Sequence, residues 1–237
     1  MKNRLITIIT PTTGKVSLYN LINSLNNQTV PFVHILLWDD KREDAFLYPD
    51  PSTLKTESPF GTNLANDNLS RYSIVIPGSF VQGDAFGSAL RAVGMMAANT
   101  PYITFADDDV WFEGNHLETM LKSLEGHEWG YCKRKVWKKS EKGVEYIGVD
   151  EFESVGDSPD RKVPYEMVDN SCMIFTRRFG ASAACLYRET RTYNDDRLMY
   201  SFLKQYAGQP GKTNLATVNQ ICPKRLEPMF EGLFSKL

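Results

Sequence analysis

Apolar runs of strand length alternate with segments of helical spacing over the first half of the chain. The strand-like runs are nearly continuous and rich in β-branched residues, which is typical of strands buried on both faces of a sheet. The predicted strands are Leu5–Ile9, Phe32–Trp38, Ser73–Ile76 and Tyr102–Ala106, and the predicted helices cover Leu18–Leu25 and Phe86–Ala97. This strand–helix–strand order predicts a mostly parallel central sheet flanked by helices.

The second half of the chain has a less regular pattern. The predicted helices are Leu117–Leu124 and Met199–Tyr206, and the predicted strands are Tyr131–Trp137, Val144–Val149 and Ser171–Thr176. Residues 41–70 and 150–170 are rich in turn-forming or acidic residues and are predicted to be irregular. No internal repeat or clear linker divides the chain. We therefore predict one α/β domain over residues 1–237, with a small antiparallel region in its second half.

Two further segments each have two interpretations. The basic stretch CKRKVWKK, residues 132–139, is either a solvated edge strand guarded by lysines or a surface for an anionic acceptor. Near the C-terminus, apolar residues form one helical stripe: Leu226, Met229, Phe230, Leu233, Phe234 and Leu237. Docking of this stripe onto the domain's own core is favoured, and peripheral contact with a membrane surface is the alternative.

Composition excludes several classes of protein. The chain has 237 residues, 42% of them hydrophobic and 24% charged, which is typical of a globular protein with a sizeable core. A net charge of −2 argues against nucleic-acid binding through bulk positive charge. The four cysteines have no CxxC spacing, so neither a zinc cluster nor a disulfide framework is indicated.

The start of the chain and its apolar runs indicate a compartment. The opening MKNRLITIITPTTG has no small-residue cleavage site and predicts a first strand, not a signal peptide. No apolar stretch approaches the roughly 20 residues that span a bilayer. We therefore expect a cytoplasmic protein, with the inner face of the membrane as a second possible location.

Carboxylates follow two of the predicted strands directly. Asp39 and Asp40 come after the second strand, and Asp107, Asp108 and Asp109 come after the fourth. Ligands of open parallel sheets bind at the carboxyl ends of strands, so these residues would converge on one edge. The triplet is either a solvated loop or helix cap, or a site for Mg²⁺ or Mn²⁺ with phosphate, because hard cations favour carboxylate oxygens.

The arrangement resembles the GT-A fold glycosyltransferases, specifically the inverting family-2 group. The resemblance lies in ITIITPTT, in ILLWDD, and in ALRAVGMMAANTPYITFADDDVWF, where family members read a-x-R-N-x-G followed by G-x-Y-I-x-F-L-D-D-D-D. Downstream, YNDDRLMYSFLKQ is similar to the family block E-D-x-[DE]-L-x-x-R. Ala92 stands where the family usually has Asn, Asp195 stands in the first acidic position of the pair, and the QxxRW motif of processive synthases is absent.

The resemblance implies a role for each matching residue. The triplet corresponds to the DxD motif, with Asp109 and Asp107 as ligands of Mn²⁺ or Mg²⁺. Asp196 corresponds to the catalytic base, with Asp195 as the fallback. For both, the alternative is an acidic start of a helix. The implied nucleotide-binding residues are Pro11, Thr12, Thr13, Asp39, Asp40, Arg91, Asp107 and Asp108.

Some of these positions have alternatives. Asp39 is otherwise a turn residue, with Asp40 as the adjacent candidate. Arg91 either contacts a phosphate, pairs with the triplet, or is simply solvated on its helix. Trp111 either stacks on a sugar or belongs to the core.

The resemblance implies a metal-dependent, inverting, hexosyltransferase-type enzyme. Its donor would be a nucleotide-diphosphate sugar, with a UDP-sugar favoured, and its acceptor a hydroxyl of a glycan or lipid-linked glycan in surface polysaccharide biosynthesis. Residues 1–110 would form the nucleotide-sugar-binding half and residues 111–237 the acceptor-side half. The alternatives are a catalytically inactive nucleotide- or carbohydrate-binding module and a sugar nucleotidyltransferase. The sequence predicts no nucleic-acid partner and no particular oligomeric state.

Overall fold

The computed structural model describes residues 5–40, 69–77, 87–141, 143–187, 195–222 and 227–234. The irregular structure predicted for residues 41–70 falls almost entirely outside these ranges. For Asp39, Asp40 and the strand over residues 69–77, the backbone alone is described.

The first half of the chain forms a parallel sheet. Its strands are β1 (Ile6–Thr12), β2 (Phe32–Asp40), β3 (Leu69–Pro77) and β4 (Tyr102–Phe105), in the order β3-β2-β1-β4. Every neighbouring pair in this set is parallel, and Ile9 of β1 lies between Ile35 and Phe105. Helix α1 (Leu18–Asn26) lies between β1 and β2 in the sequence, and helix α2 (Ser88–Ala97) lies between β3 and β4. The parallel part of the fold is therefore as the apolar runs predict.

The second half continues the same sheet with mixed pairing. Its strands are β5 (Val110–Phe112), β6 (Trp129–Ser140), β7 (Gly143–Val149), β8 (Met173–Thr176) and β9 (Gly211–Ile221), and its helices are α3 (His116–Ser123), α4 (Gly180–Tyr187), α5 (Asp195–Tyr206) and α6 (Glu227–Phe234). The order runs β4-β8-β6-β9-β5, with β7 paired to β6. The β6–β9 pair is parallel, and the other pairs in this half are antiparallel.

The sheet curls so that its end strand β5 returns to β4. In the sequence, β5 is the next strand after β4 and begins at Val110, although three strands lie between the two in the sheet. The amide of Val110 donates to the carbonyl of Asp107 at 3.3 Å, so residues 107–110 form a tight turn. A turn of this kind holds its end Cα atoms within about 7 Å, whereas four inter-strand steps in a flat sheet span about 19 Å. The acidic triplet therefore lies where the curl closes.

The basic stretch is not an edge strand, and that prediction is wrong. Residues 132–139 belong to β6, which pairs with β7, β8 and β9. Lys138 and Lys139 reach the outer end of this strand, but Arg134 is buried, with 5% of its surface exposed. The solvated interpretation fails at Arg134 because this side chain is paired with Asp150, Glu153 and Asp169. These carboxylates lie 16, 19 and 35 positions further along the chain, so the strand sequence alone does not reveal the pairing.

Part of the C-terminal stripe packs onto the chain's own sheet. Phe230 of α6 is 1% exposed and forms a small cluster with Val136 and Cys222. The ring of Phe152 lies 5.9 Å from that of Phe230. No helix among the described residues is long and apolar enough to cross a membrane.

Helix α2 is seated closely on the parallel strands because residue 94 has no side chain. A Cβ atom at Gly94 would overlap the Cγ2 atom of Ile9 in β1 and would lie 3.0 Å from the Cδ1 atom of Leu37 in β2. Both neighbours are fully buried apolar residues in strands, so neither can move aside freely.

We predict that Gly94→Ala destabilises the protein even though alanine has the higher helix propensity. Overpacking at this contact should lower the free energy of unfolding by about 1–3 kcal/mol, measured by urea denaturation. The control is Met96→Ala on the exposed face of the same helix, where the change should stay within about 0.5 kcal/mol. Equal stability of the Gly94 variant and the wild type would contradict this packing.

Candidate functional site

The acidic triplet follows β4 after one intervening residue, Ala106, at the carboxyl end of the parallel strands. The amide of Asp107 donates to the Oγ atom of Ser171, 3.2 Å away, which fixes the start of the turn. The three side chains then go to three different environments.

Asp108 is buried and fully engaged with the end of β1. Its Oδ2 atom accepts from the hydroxyl of Thr12 at 2.9 Å, and its Oδ1 atom pairs with Nζ of Lys15 at 3.0 Å. The side chain of Asp108 is 7% exposed, whereas that of Lys15 is 58% exposed. Partial burial alone would lower the pKa of Lys15, but the hydrogen bond with Asp108 and the charges of the triplet raise it. Asp108 therefore links the triplet to the loop that follows β1, which we call the β1 loop.

Asp107 pairs with the buried guanidinium of Arg91. Nη2 of Arg91 donates to Oδ1 of Asp107, and Nη1 lies 3.7 Å from Oδ2 of Asp195. The side chain of Arg91 is 6% exposed, so the solvated interpretation of this residue is wrong. Burial alone would lower the pKa of Arg91, but the carboxylate of Asp107 and the other negative groups raise it. The guanidinium also lies 6.0 Å from the ring centre of Phe105.

Asp109 differs from its two neighbours. No hydrogen-bond donor to its carboxylate is found among the described residues. Burial raises the pKa of Asp109 to about 6, and the charge of Asp107 adds to this effect, while Lys15 opposes it. Asp109 is partly exposed, and a nearby positive charge would stabilise the ionised form of a partly buried carboxylate that lacks a protein donor.

The two aspartates that begin α5 also separate. The Oδ2 atom of Asp195 accepts from the hydroxyl of Ser88 at the start of α2 and lies near Arg91, so Asp195 joins two helices. Asp196 is partly exposed, and its Oδ1 atom accepts from the amide of Asn170 at 3.3 Å. Burial, together with the negative charge of Asp169, raises the pKa of Asp196 well above its usual value.

One turn lies between the triplet and Asp196. We call Asp169 with the 3-10 helix Asn170–Cys172 the 169–172 turn. Asp169 caps it, because its Oδ1 atom accepts from the amide of Ser171 at 2.9 Å. The turn then presents the hydroxyl of Ser171 to Asp107 and the amide of Asn170 to Asp196. The hydroxyl of Tyr187 donates to the side-chain carbonyl of Asn170 at 2.8 Å.

Behind this turn lies a charge cluster that the sequence analysis missed. The guanidinium of Arg134 donates to Asp150, Glu153 and Asp169, each at 2.8 Å, and to Gln220 at 2.6 Å. Burial alone would raise the pKa of Asp150, but Arg134 and three backbone amides lower it. Segment 150–170 is irregular, as the sequence predicts, but the burial of Asp150, Glu153 and Asp169 around Arg134 was not predicted. The sequence feature that could have indicated this cluster is the single arginine among the lysines of residues 132–139, followed by the acidic segment 150–170.

The remaining predicted nucleotide-binding residues lie at the same edge of the sheet. Pro11 and Thr12 are buried at the end of β1, and Thr13 is exposed just after it. Thr12 uses its hydroxyl on Asp108, as described above. The backbones of Asp39 and Asp40 end β2 beside Ile76 and Pro77, and their side chains lie outside the described part of the structure.

Trp111 belongs to a row of aromatic rings on the second half of the sheet. Its ring centre lies 5.7 Å from that of Trp137, which lies 5.1 Å from that of Tyr146. The indole N–H of Trp137 donates to Asn219, whose side-chain amide lies 3.4 Å from the carbonyl of Trp111. Trp111 is therefore partly buried within the sheet's own aromatic contacts.

The site as a whole has more negative than positive groups. Six carboxylates meet there with three cationic side chains: Asp107, Asp108, Asp109, Asp169, Asp195 and Asp196 with Lys15, Arg91 and Arg134. In the described ranges, no group of three or more His, Cys, Asp or Glu side chains is arranged to hold a metal ion by itself.

No protein-family model matches the sequence, and no curated protein matches it. Solved structures do match the fold. The chain is similar to S. aureus TarS 1–349, with a TM-score of 0.63 and 16% sequence identity, covering 100% of this chain and 65% of that one. It thus spans about two thirds of the length of that structure.

Two further TarS structures contain ligands. This chain is similar to TarS 1–349 in complex with UDP-GlcNAc, with a TM-score of 0.58 and 15% identity, covering 94% of this chain and 59% of that one. For TarS 1–349 in complex with UDP, the TM-score is 0.55 at 16% identity, covering 100% and 65%. These similarities confirm the predicted fold class: the chain has an α/β fold, with a curled central sheet flanked by helices, that it shares with S. aureus TarS.

Proposed function

We propose that the protein is a glycosyltransferase that uses a nucleotide-diphosphate sugar, with a UDP-sugar as the favoured donor. The observation that carries the proposal is the environment of Asp109. This carboxylate is partly buried and accepts no hydrogen bond from the described residues, at the strand edge where open α/β sheets bind ligands. The fold shared with TarS, which has been solved with UDP and with UDP-GlcNAc, supports the same assignment.

We further propose that Asp109, with Asp107, holds Mn²⁺ or Mg²⁺. The residues fit such an ion, because Mg²⁺ is commonly bound by one or two carboxylates and completes its shell with water and substrate phosphates. Two carboxylates therefore suffice, although no larger cluster is found in the described part of the chain. When bound, the ion would stabilise the charge that develops on the leaving nucleoside diphosphate.

Asp108 has a structural part in this proposal. Lys15 and Thr12 neutralise and orient it, so it holds the β1 loop against the triplet and does not bind the ion. The exposed Thr13 on that loop and the residues at the end of β2, Asp39 and Asp40, are the proposed contacts for the base and ribose. Arg91 acts through Asp107 and does not reach a phosphate, because its guanidinium is buried.

Asp196 is the proposed general base for an inverting transfer to an acceptor hydroxyl. Asp195 is poorly suited, because its carboxylate is buried and bound to Ser88 and Arg91. Asp196 is partly exposed, and its pKa is raised, which makes the carboxylate a stronger proton acceptor than an ordinary aspartate. A hydroxyl of a glycan or lipid-linked glycan is the proposed acceptor, which would place the enzyme in polysaccharide biosynthesis on the cytoplasmic side of a membrane.

The metal proposal predicts that Asp109→Asn loses Mn²⁺-dependent binding of UDP while the fold is retained. The substitution keeps size but removes the negative charge that the ion requires. Calorimetry with UDP and Mn²⁺ measures the loss, with Asp160→Asn in the exposed loop as the control for general charge effects. Unchanged UDP affinity in the Asp109 variant would refute the metal assignment.

The raised pKa of Asp109 predicts a pH dependence of ion binding. The ion competes with the proton on this carboxylate, so affinity is present above about pH 6 and is lost as the pH falls through that value. Titration of Mn²⁺ in the presence of UDP-GlcNAc measures this, because its esterified diphosphate lacks the second ionisation near pH 6 of a terminal phosphate. Affinity that is constant from pH 7 down to about pH 5 would contradict the raised pKa.

The base assignment predicts that Asp196→Asn keeps the donor but loses turnover. Asparagine retains the acceptor for the Asn170 amide but cannot take up a proton, so the rate should fall by about 10²- to 10⁴-fold. The release of UDP from UDP-GlcNAc measures turnover, and calorimetry measures donor binding. A comparable loss of donor affinity would move Asp196 to a binding role. Absence of turnover in a wild-type protein that binds the donor would favour the inactive binding module.

A further inference from the structure

The Arg134 cluster joins segments that are far apart in the sequence. Arg134 lies in β6, and its four acceptors come from the 150–170 segment and from β9. Asp150 in addition accepts from the amides of residues 152, 153 and 154 at 2.9–3.2 Å. The guanidinium thus fixes the course of this segment, which has little regular secondary structure of its own.

One branch of the cluster leads to the candidate active site. Nη1 of Arg134 donates to Oδ2 of Asp169, and the other oxygen of Asp169 accepts from the amide of Ser171. Both oxygens of Asp169 are therefore used, one for the cluster and one for the 169–172 turn. The turn in its own right contacts the amide of Asp107 and the carboxylate of Asp196.

A second branch has the same donor–acceptor distance but leads away from the site. Nη2 of Arg134 donates to Oε2 of Glu153 at 2.8 Å, and the other oxygen of Glu153 accepts from the hydroxyl of Tyr165 at 3.3 Å. Glu153 and Asp169 are equally buried, with side chains 10% and 9% exposed. The two carboxylates thus form a natural comparison, since they share the guanidinium but not the contact with the turn.

We infer that Arg134 is a positioning residue, which acts through Asp169 to hold the 169–172 turn between the acidic triplet and Asp196. A planar guanidinium can donate to several carboxylates at once in fixed directions, and a lysine ammonium cannot reproduce that geometry. Misplacement of a reacting group by about 1 Å can cost about 100-fold in rate. The effect on turnover rests on the proposed function, whereas the effect on the turn does not.

The test compares Asp169→Asn with Glu153→Gln in the full chain. Asparagine has one acceptor oxygen, so it cannot serve both Arg134 and the Ser171 amide, and the turn should loosen. Glutamine can keep its oxygen on Arg134 and turn its amide toward Tyr165, whose hydroxyl can also accept. Arg134→Lys is the third variant, and it should behave as Asp169→Asn does.

Hydrogen exchange of the ligand-free protein is the first measurement. Asp169→Asn should speed exchange of the amides in segments 166–173 and 106–110 by about tenfold, as expected for the loss of one buried hydrogen bond. Glu153→Gln should leave both segments as in the wild type. Unchanged exchange in Asp169→Asn, or equal changes in the two variants, would overturn the inference.

Turnover and donor binding are the second measurement, with UDP-GlcNAc as the donor and water as the acceptor. Asp169→Asn should lower kcat between about 10- and 100-fold and weaken the Kd for UDP by a smaller factor, because the turn contacts the triplet only through the backbone amide of Asp107 among the described residues. Glu153→Gln should keep both values. Equal losses of kcat in the two variants would show that Arg134 has only a structural role and does not position the 169–172 turn. A wild-type protein that binds neither UDP nor UDP-GlcNAc would refute the proposed UDP-sugar donor, and the exchange result would still decide whether Arg134 positions the turn.

Discussion

The arrangement of the site depends first on one buried cation, the guanidinium of Arg91. Arg91 comes from α2, Asp107 from the end of β4, and Asp195 from the start of α5, so one ion-pair network joins three elements. Removal of one partner from such a network is expected to cost about 3–5 kcal/mol, because a buried charge is left uncompensated. The requirement that this charge be neutralised therefore holds the acidic triplet and the predicted base in one place.

Neighbouring aspartates in the sequence have different tasks because protein cations reach some of them and not others. In the triplet, Lys15 neutralises Asp108 and Arg91 neutralises Asp107, and Asp109 is left with its pKa raised. At the start of α5 the pattern repeats, since Asp195 is bound and Asp196 remains partly exposed. Three like charges in a row are thus tolerated without an ion, because two of them are paired within the fold. A bound cation would need to compensate only for the third, Asp109.

The sequence predicted the parallel half of the fold and the location of the triplet, for a simple physical reason. Strands buried on both faces need continuous apolar runs, and such runs are visible in β1 and β2. Strand β9 was missed because its sequence GKTNLATVNQI has neither a continuous apolar run nor a regular alternation, and the strand is held in place by pairing with β5 and β6. The partners of the site residues were not predictable, since Lys15 and Asp108 are 93 positions apart. The likeness to TarS shows the same limit, because the two chains share a fold at only 15–16% sequence identity.

The position of β9 has a consequence for the way the chain folds. This strand lies between β6 and β5, yet it is the last strand to be synthesised among those described. On the ribosome, β5 and β6 emerge long before their shared neighbour, and their unpaired edges remain exposed during that time. Pairing of strands that are distant in sequence is slow, and exposed edges invite association with other chains. We expect nascent or truncated chains that end before β9 to depend on chaperones, and the curl of the sheet to close only when the last strand is inserted.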